Sequence, residues 1–166
     1  MLNAFAGTDA EHRATPVIMS CPLCQTLTSA KANPHYLAEL GESVVLLGEN
    51  QGCPGWCVLI AKDHVEHLAE WPRDRQARLF DDVARVAAAV RAAFPGGGAG
   101  GGPVRINYEC LGNQVAHVHW HVIPRHADDP TPRQAVWGWT PEQLRGGMTA
   151  TARVALAVRL AGRLTG

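Results

Sequence analysis

The chain has 166 residues, a length that predicts one domain with a substantial buried core. Its 15 basic and 15 acidic residues give a formal net charge of zero, so bulk charge does not support binding to nucleic acid or to a membrane surface. No apolar stretch approaches the roughly 20 residues that span a bilayer, and we expect no membrane partner.

The N-terminal residues are polar, small and glycine-containing. We expect residues 1–18 to form a mobile tail and residues 19–166 to form a single domain. The chain start lacks a basic segment followed by an apolar one, so we expect no signal peptide. Five cysteines without an export signal are typical of reduced thiols, which favours a cytoplasmic location.

The first motif in chain order is Cys21-Pro22-Leu23-Cys24. Its two-residue spacing allows two thiolates to bind one tetrahedral metal ion, and two further ligands are then required. A redox pair is an alternative, although no thioredoxin-like βαβ pattern surrounds the motif. A third interpretation is two buried thiols without a partner.

Two short apolar runs, Ser43 to Leu47 and Trp56 to Ala61, predict a β-hairpin joined by a turn rich in glycine and proline. The shorter apolar pair Tyr36-Leu37 is interpreted as a turn. Arg73 to Phe94 predicts a long helix, because apolar residues recur there at intervals of three and four. The glycine-rich residues 95–102 predict a flexible connector, since neither a Lys-Ser/Thr pair nor a helix start follows them.

Two further strands are predicted over Val104 to Cys110 and Val115 to Pro124. A final helix is expected from the cap sequence Thr140-Pro141-Glu142-Gln143 towards Leu164. Strands interrupted by one long helix indicate an α+β fold with an antiparallel sheet. Trp137 lies in a glycine-containing loop and is expected either to anchor the C-terminal segment or to stack on a base.

Three histidines, His117, His119 and His121, alternate within the apolar run at residues 115–123. In a strand, a period of two places all three imidazoles on one face, and the intervening apolar side chains then point towards a core. Neighbours on one face lie roughly 6.5–7 Å apart, so one phosphate group could contact two or three rings. Because imidazole titrates near neutral pH, each ring can act as a nucleophile, a proton donor or a metal ligand.

The run from His117 to Ile123 resembles the signature of the histidine triad (HIT) family, in which three histidines alternate with apolar residues. The stretch Ile60-Ala61-Lys62-Asp63-His64 resembles the family's strand end and the Lys-x-His that follows it. The resemblance covers roughly residues 20–126. It implies a HIT-like fold, with an antiparallel sheet of about five strands, a long helix and a C-terminal helix. Cys53-Pro54-Gly55-Trp56 and Gly112-Asn113-Gln114 look like a bacterial branch described as diadenosine-polyphosphate hydrolase-like.

This resemblance implies a nucleotide hydrolase or transferase that acts on a dinucleoside polyphosphate or nucleoside phosphoramidate and releases a nucleoside monophosphate. His119 would be the nucleophile and would form a nucleotidyl-histidine intermediate. The carbonyl of His117 would fix its tautomer, and His121 would donate to a non-bridging phosphate oxygen. Gln114 matches a position that contacts the bridging or leaving oxygen.

The resemblance also suggests substrate contacts. They are expected from Asn50, Asn107, Gly112 and Asn113. Arg125 is expected to contact phosphate as well, because a guanidinium can bind phosphate through two hydrogen bonds. For Asn113 and Gln114 ordinary loop polarity is the alternative, and for Arg125 it is a surface salt bridge. Trp56 stands where many triad proteins carry a fourth histidine.

A structural zinc site is a further implication of the resemblance, with Cys21, Cys24, His64 and His117 as ligands. Four protein ligands would close such a site, which is typical of structural rather than catalytic zinc. A homodimer is also implied, through the long helix and an edge of the sheet, with nucleotide as the other partner.

Magnesium is not expected to be required, although it can tighten the binding of long polyphosphates by neutralising charge. Asp128 and Asp129 are the only acidic pair near the triad. They are expected to form a turn, and binding a divalent ion that bridges phosphates is the alternative. Two other functions remain open from the sequence. One is a non-catalytic nucleotide-binding module, in which His119 only contacts phosphate. The other is a zinc-dependent hydrolase that uses the histidine cluster as a catalytic metal site with an open position.

Overall fold

The computed structural model describes residues 20–94 and 102–165. The predicted tail and nearly all of the glycine-rich connector lie outside those residues. One antiparallel sheet has the strand order β1-β2-β3-β5-β4. Its strands are β1 (Tyr36–Glu39), β2 (Ser43–Leu47), β3 (Cys57–Ala61), β4 (Arg105–Glu109) and β5 (His119–Arg125). The helices are α1 (Pro22–Thr28), α2 (Arg73–Ala93), α3 (Pro141–Arg145) and α4 (Ala150–Leu164).

Helices α2 and α4 cover one face of the sheet. Aliphatic side chains from strands and helices, such as Leu59, Val86 and Leu160, form the main core there. On the opposite face, Ile60 packs in a second cluster against Leu23 of α1. The predicted α+β arrangement with a five-stranded antiparallel sheet is therefore confirmed. Within the described ranges, no helix is both long enough and apolar enough to cross a membrane.

Two strand predictions need correction. Tyr36 begins strand β1 rather than a turn, and an irregular register between Tyr36 and Ala38 explains why four residues carry no clear alternation. The last predicted strand begins at His119 rather than Val115. Before it the chain bends, because the N–H of His117 donates to the carbonyl of Val115 at 2.9 Å.

The C-terminal helical segment is broken in two, so the prediction of one continuous helix is wrong. The cap at Thr140 is present, since its hydroxyl accepts from the N–H of Gln143. Helix α3 nevertheless ends at Arg145, and Gly146 follows it with a positive φ of 66°. Glycine readily ends a helix in this way, and Thr149 then caps the separate helix α4.

Residues 126–146, which we call the C-terminal strap, cross the turn between β2 and β3. The N–H of Gly52 donates to the carbonyl of Leu144 at 2.8 Å, and the ring of His126 donates to the carbonyl of Pro54 at 3.1 Å. A Cβ atom at Gly52 would overlap the carbonyl oxygen of Gln143, so glycine permits this close approach. The strap consequently brings its tryptophans to the histidine-bearing face of the sheet.

Candidate active site

His119 and His121 lie on β5, on the sheet face opposite α2 and α4. Their register partners on β3 are Ile60 and Val58. The two half-buried rings have centroids 5.2 Å apart, and their planes are inclined by 80°. Trp120, between them, points the other way and packs against the core. The alternation predicted for the strand therefore holds for these two histidines.

His117 lies on the side of the sheet that α1 covers, as the alternation predicts, but its ring turns to the cysteines instead of continuing the row of His119 and His121. It precedes β5, is only 1% exposed, and its Nε2–H donates to the carbonyl of Ala61 at 2.9 Å. Its Nδ1 lies 3.5 Å from the sulfur atoms of both Cys21 and Cys24. The backbone carbonyl of His117 nevertheless accepts a hydrogen bond from Nδ1 of His119 at 2.6 Å.

That hydrogen bond assigns the tautomer of His119. A carbonyl oxygen only accepts, so Nδ1 must carry the proton and the neutral ring presents an unprotonated Nε2. Among the residues with defined positions, no group hydrogen-bonds to this Nε2. His119 can therefore offer a lone pair to an electrophile.

His121 carries its proton on the other ring nitrogen. Its Nδ1 accepts a hydrogen bond from the indole Nε1–H of Trp56 at 3.1 Å, so the neutral ring carries its proton on Nε2. Burial, and to a lesser extent the charge of a protonated His119, lower the pKa of His121 to about 4. At neutral pH the ring is an uncharged donor beside the lone pair of His119.

The buried, neutral His121 makes stability depend on pH. The unfolded ring binds its proton first, near pH 6.5, so this contribution is complete above that pH and is lost as the pH falls to about 4. At 1.36 kcal/mol per pKa unit, the loss is on the order of 3 kcal/mol. We expect the unfolding free energy of the wild type to fall more steeply over this range than that of His121→Asn, which keeps an acceptor for Trp56 and does not titrate. Parallel urea titrations that show equal pH slopes for both proteins would contradict this.

A second cluster lies behind the histidine pair. The ligand atoms of Cys21, Cys24, His64 and His117 all lie within 4.8 Å of one another. Nδ1 of His64 is 3.3 Å from the sulfur of Cys24. In a tetrahedral zinc site with Zn–S near 2.3 Å and Zn–N near 2.1 Å, sulfur and nitrogen ligands lie about 3.6 Å apart. The measured sulfur–nitrogen distances fit that geometry.

The chemistry of the donors agrees with a metal site. Because Nε2–H of His117 is bonded to a backbone carbonyl, its Nδ1 lone pair faces the thiols, which is the usual outer-shell arrangement of a metal-bound histidine. Burial raises the pKa of Cys24 to about 11, and neighbouring Cys21 adds to the rise. A bound cation would favour the thiolates instead. These four side chains therefore fit a closed zinc site.

A cavity of about 510 Å³ opens beside His119. Gly112 and Asn113 line it, and Gly112 has a φ of 58°, a backbone conformation that glycine adopts without strain. Gln114 follows them on the same exposed loop. The loop predicted to approach phosphate thus lines the same cavity as His119.

Other expected contacts lie further along the sheet. Asn107 lies on β4 opposite Ile123 of β5, and its side-chain oxygen accepts a hydrogen bond from Arg105 at 3.3 Å. Asn50 is half-buried in the turn between β2 and β3. Neither side chain hydrogen-bonds to a triad histidine, so their role in binding stays a prediction.

Arg125 is not free to contact phosphate. Its side chain is 1% exposed, and Nε forms an ion pair with Asp129 at 2.6 Å. Its other two nitrogens donate to the carbonyls of Gln134 and Thr131. These bonds hold the strap, so the expected substrate contact is replaced by a structural role. The same ion pair engages Asp129, so Asp128 and Asp129 are not a free acidic pair for magnesium.

Three further residues surround the histidine pair: the sequence singles out Trp56 and Trp137 for other roles and does not single out Glu109. Trp56 bonds to His121, and Trp137 of the strap packs edge-on against both rings at centroid distances of 5.6 and 5.2 Å. The indole N–H of Trp137 donates to Glu109, which is opposite His121 in the β4–β5 register. Only strand register and the path of the strap reveal these contacts.

Comparison with known proteins identifies the family. A family model described as HIT domain matches residues 30–128. Protein hit of Bacillus subtilis strain 168 is 30% identical over 132 residues, which cover 68% of this chain and 85% of that protein.

Solved structures agree with this match. A crystal structure of a histidine triad protein from Sinorhizobium meliloti is 25% identical, with a TM-score of 0.66 over 78% of this chain and 88% of its own. A histidine triad protein from Marinobacter aquaeolei is 26% identical, with a TM-score of 0.66 over 79% and 88%. A zinc-bound histidine triad family protein from Mycobacterium smegmatis shares the fold at 23% identity, with a TM-score of 0.58 over 89% and 95%. The chain belongs to the histidine triad family.

Proposed function

We propose that this chain is a nucleotide hydrolase or transferase in which His119 attacks the α-phosphorus of a nucleotide. One observation carries the proposal. His119 offers an unprotonated Nε2, and His121 beside it offers a neutral Nε2–H, with ring centroids 5.2 Å apart. A nucleophilic lone pair next to a fixed donor suits phosphoryl transfer. Membership in a family that binds nucleotides and includes nucleotide hydrolases supports the same reaction class.

In the proposed first step, the lone pair of His119 Nε2 forms a bond to phosphorus. The bond from phosphorus to the leaving atom breaks, and its electron pair departs with the leaving group. The ring becomes cationic, and its Nδ1–H remains bonded to the carbonyl of His117, which stabilises that charge. In the second step water attacks phosphorus, the P–N bond breaks, and one proton passes to solvent as nucleoside monophosphate leaves.

The neighbouring groups have supporting roles in this proposal. His121 donates its Nε2–H to a non-bridging oxygen as negative charge develops there. Gln114 contacts the bridging or leaving oxygen, and the backbone at Gly112 and Asn113 approaches the phosphate. Asn107 and Asn50 contact the nucleoside. Dinucleoside polyphosphates and nucleoside phosphoramidates are the proposed substrates.

Zinc is the proposed structural ion. It would be held by Cys21, Cys24, His64 and His117, and would join α1 to the sheet. With four protein ligands the site has no open position for a substrate, which argues against a catalytic metal. The ion would supply rigidity around the carbonyl that orients His119. Metal-bound thiolates require reduced cysteines, and we propose a reducing cytoplasmic location.

A panel of adenosine phosphoramidate, diadenosine triphosphate and diadenosine tetraphosphate, followed by product chromatography, tests the function. We expect adenosine monophosphate as a product, and we expect turnover of the phosphoramidate in millimolar EDTA, because no acidic pair near the triad is free to hold magnesium. A chain that binds these nucleotides without releasing monophosphate would be a binding module instead. A rate that collapses in EDTA and returns only with magnesium would assign the chemistry to a bound ion.

A homodimer is proposed from the surface. The edge strand β4 leaves Tyr108 51% exposed, and Val104 next to it is 53% exposed. Phe80 of α2 is also exposed. Unpaired strand edges and exposed apolar groups of this kind favour association with a second copy. Light scattering at tens of micromolar should give twice the chain mass, and a monomer mass would contradict the proposal.

A further inference from the structure

Trp56 packs its apolar ring in a buried cluster and uses its indole N–H in a hydrogen bond to His121. It is 2% exposed and packs in a cluster with Ile123, Val136 and Trp139. This cluster joins the strap to β3 and β5. The indole nitrogen points out of the cluster, at Nδ1 of His121. The indole cannot turn away without opening the contact between strap and sheet.

The ring of His121 is enclosed on three sides. His119, Trp137 and Trp56 contact it edge-on, with centroids at 5.2, 5.2 and 5.7 Å and interplanar angles of 74–80°. Within the described residues, the only hydrogen bond to this ring is the one from Trp56. Flipping the ring would place a carbon atom before the indole N–H and leave a buried donor without a partner, at a cost of about 1–3 kcal/mol.

We propose that Trp56 is a positioning residue, whose indole N–H fixes His121 in the tautomer and orientation that present Nε2–H to the phosphate. This inference rests on the proposed function. An indole nitrogen can only donate, so it selects an unprotonated Nδ1 and thereby a proton on Nε2. Trp137, tied to Glu109 through its own N–H, closes the other side of the ring. The C-terminal strap thus takes part in arranging the donor.

Trp56→Phe removes the N–H and retains most of the apolar ring. We expect kcat to fall about 10- to 100-fold, which is less than the roughly 10²–10³-fold loss on deleting one preorganised donor, because His121 itself remains. KM should stay within about twofold, because the donor acts on charge that develops during the reaction. The imidazole nitrogens of His121, observed by ¹⁵N NMR, should lose the single tautomer of the wild type.

Trp139→Phe is the matched control. Trp139 belongs to the same buried cluster, and its indole N–H donates to the hydroxyl of Thr131 at 2.6 Å rather than to a histidine. The control therefore removes the same atoms and one hydrogen bond from the same region. We expect a comparable loss of stability, with kcat within about threefold of the wild type and an unchanged His121 tautomer.

The ¹⁵N NMR spectrum of the wild type reports the tautomer of His121 even if Trp56→Phe does not fold. A protonated Nδ1 on His121 in the wild type would overturn the proposal, as would a folded Trp56→Phe with wild-type kcat and an unchanged tautomer. Equal kcat losses in both tryptophan variants would assign the effect to packing and also overturn it. If the wild type shows the expected tautomer but releases no monophosphate from any nucleotide, the proposed function fails and the positioning role in catalysis fails with it, while the tautomer assignment stands.

Discussion

Replacing His119 with alanine is expected to lower turnover by several orders of magnitude, while the chain stays folded and still binds nucleotide. The variant removes the lone pair that attacks phosphorus, and His121 cannot substitute because its unprotonated nitrogen is bonded to Trp56. The side chain of His119 makes one hydrogen bond, to the carbonyl of His117. Its loss should therefore cost little stability. Steady-state rates and nucleotide titration by calorimetry measure both effects.

His67→Ala provides a control for removing an imidazole near the same cavity. His67 is exposed at the cavity edge and is assigned no step in the reaction. We expect its stability and turnover to stay close to those of the wild type, because surface substitutions usually change stability by no more than about 0.5 kcal/mol and no proposed step uses this ring. Retention of even a tenth of wild-type turnover by His119→Ala would contradict the covalent route.

The second large effect concerns the metal cluster. The double variant Cys21→Ala, Cys24→Ala should lose the one zinc ion expected per chain, and its unfolding free energy should fall by several kcal/mol. Structural zinc in small domains contributes apparent binding energies of about 10–16 kcal/mol, so even partial coupling to folding gives a large loss. Elemental analysis of protein purified without added metal, together with thermal denaturation, measures both quantities. Stability should suffer more than the rate per folded molecule.

Cys110→Ala separates this effect from the mere loss of a thiol. Cys110 is exposed and lies outside the cluster. Its zinc content and melting temperature should match those of the wild type. Zinc that is unchanged in the double cysteine variant would refute these ligands.

The regular elements could be predicted because their signals are local. Apolar spacing located α2, and the hairpin of β2 and β3 followed from two apolar runs around a turn. Strand β1 could not be predicted, because its four residues have an irregular register and show no clear alternation of apolar and polar side chains. The apolar pattern continues beyond Gly146-Gly147 and so predicts one continuous helix, whereas the structure has a break after Arg145.

The site was harder to predict where it depends on tertiary contacts. Alternation predicts the face on which His117 lies, but it could not show that the bend before β5 directs the ring to the cysteines rather than to His119. Spacing alone could not show that Trp56 would meet His121, since 65 residues separate them and the contact follows from the pairing of β3 with β5. Arg125 is expected to contact phosphate because a guanidinium binds anions. In the structure the buried carboxylate of Asp129, four residues later, forms an ion pair with it instead.

Direct capture of the intermediate tests the central claim. Enzyme in excess over adenosine phosphoramidate is quenched in alkali, which preserves a phosphorus–nitrogen bond, and its peptides are mapped by mass spectrometry. We predict one adenylate group on His119, formed and lost at rates that account for turnover, and none in His119→Ala. Complete conversion of substrate in the first turnover with no adenylated protein at any time, or adenylate on another residue, would contradict the account.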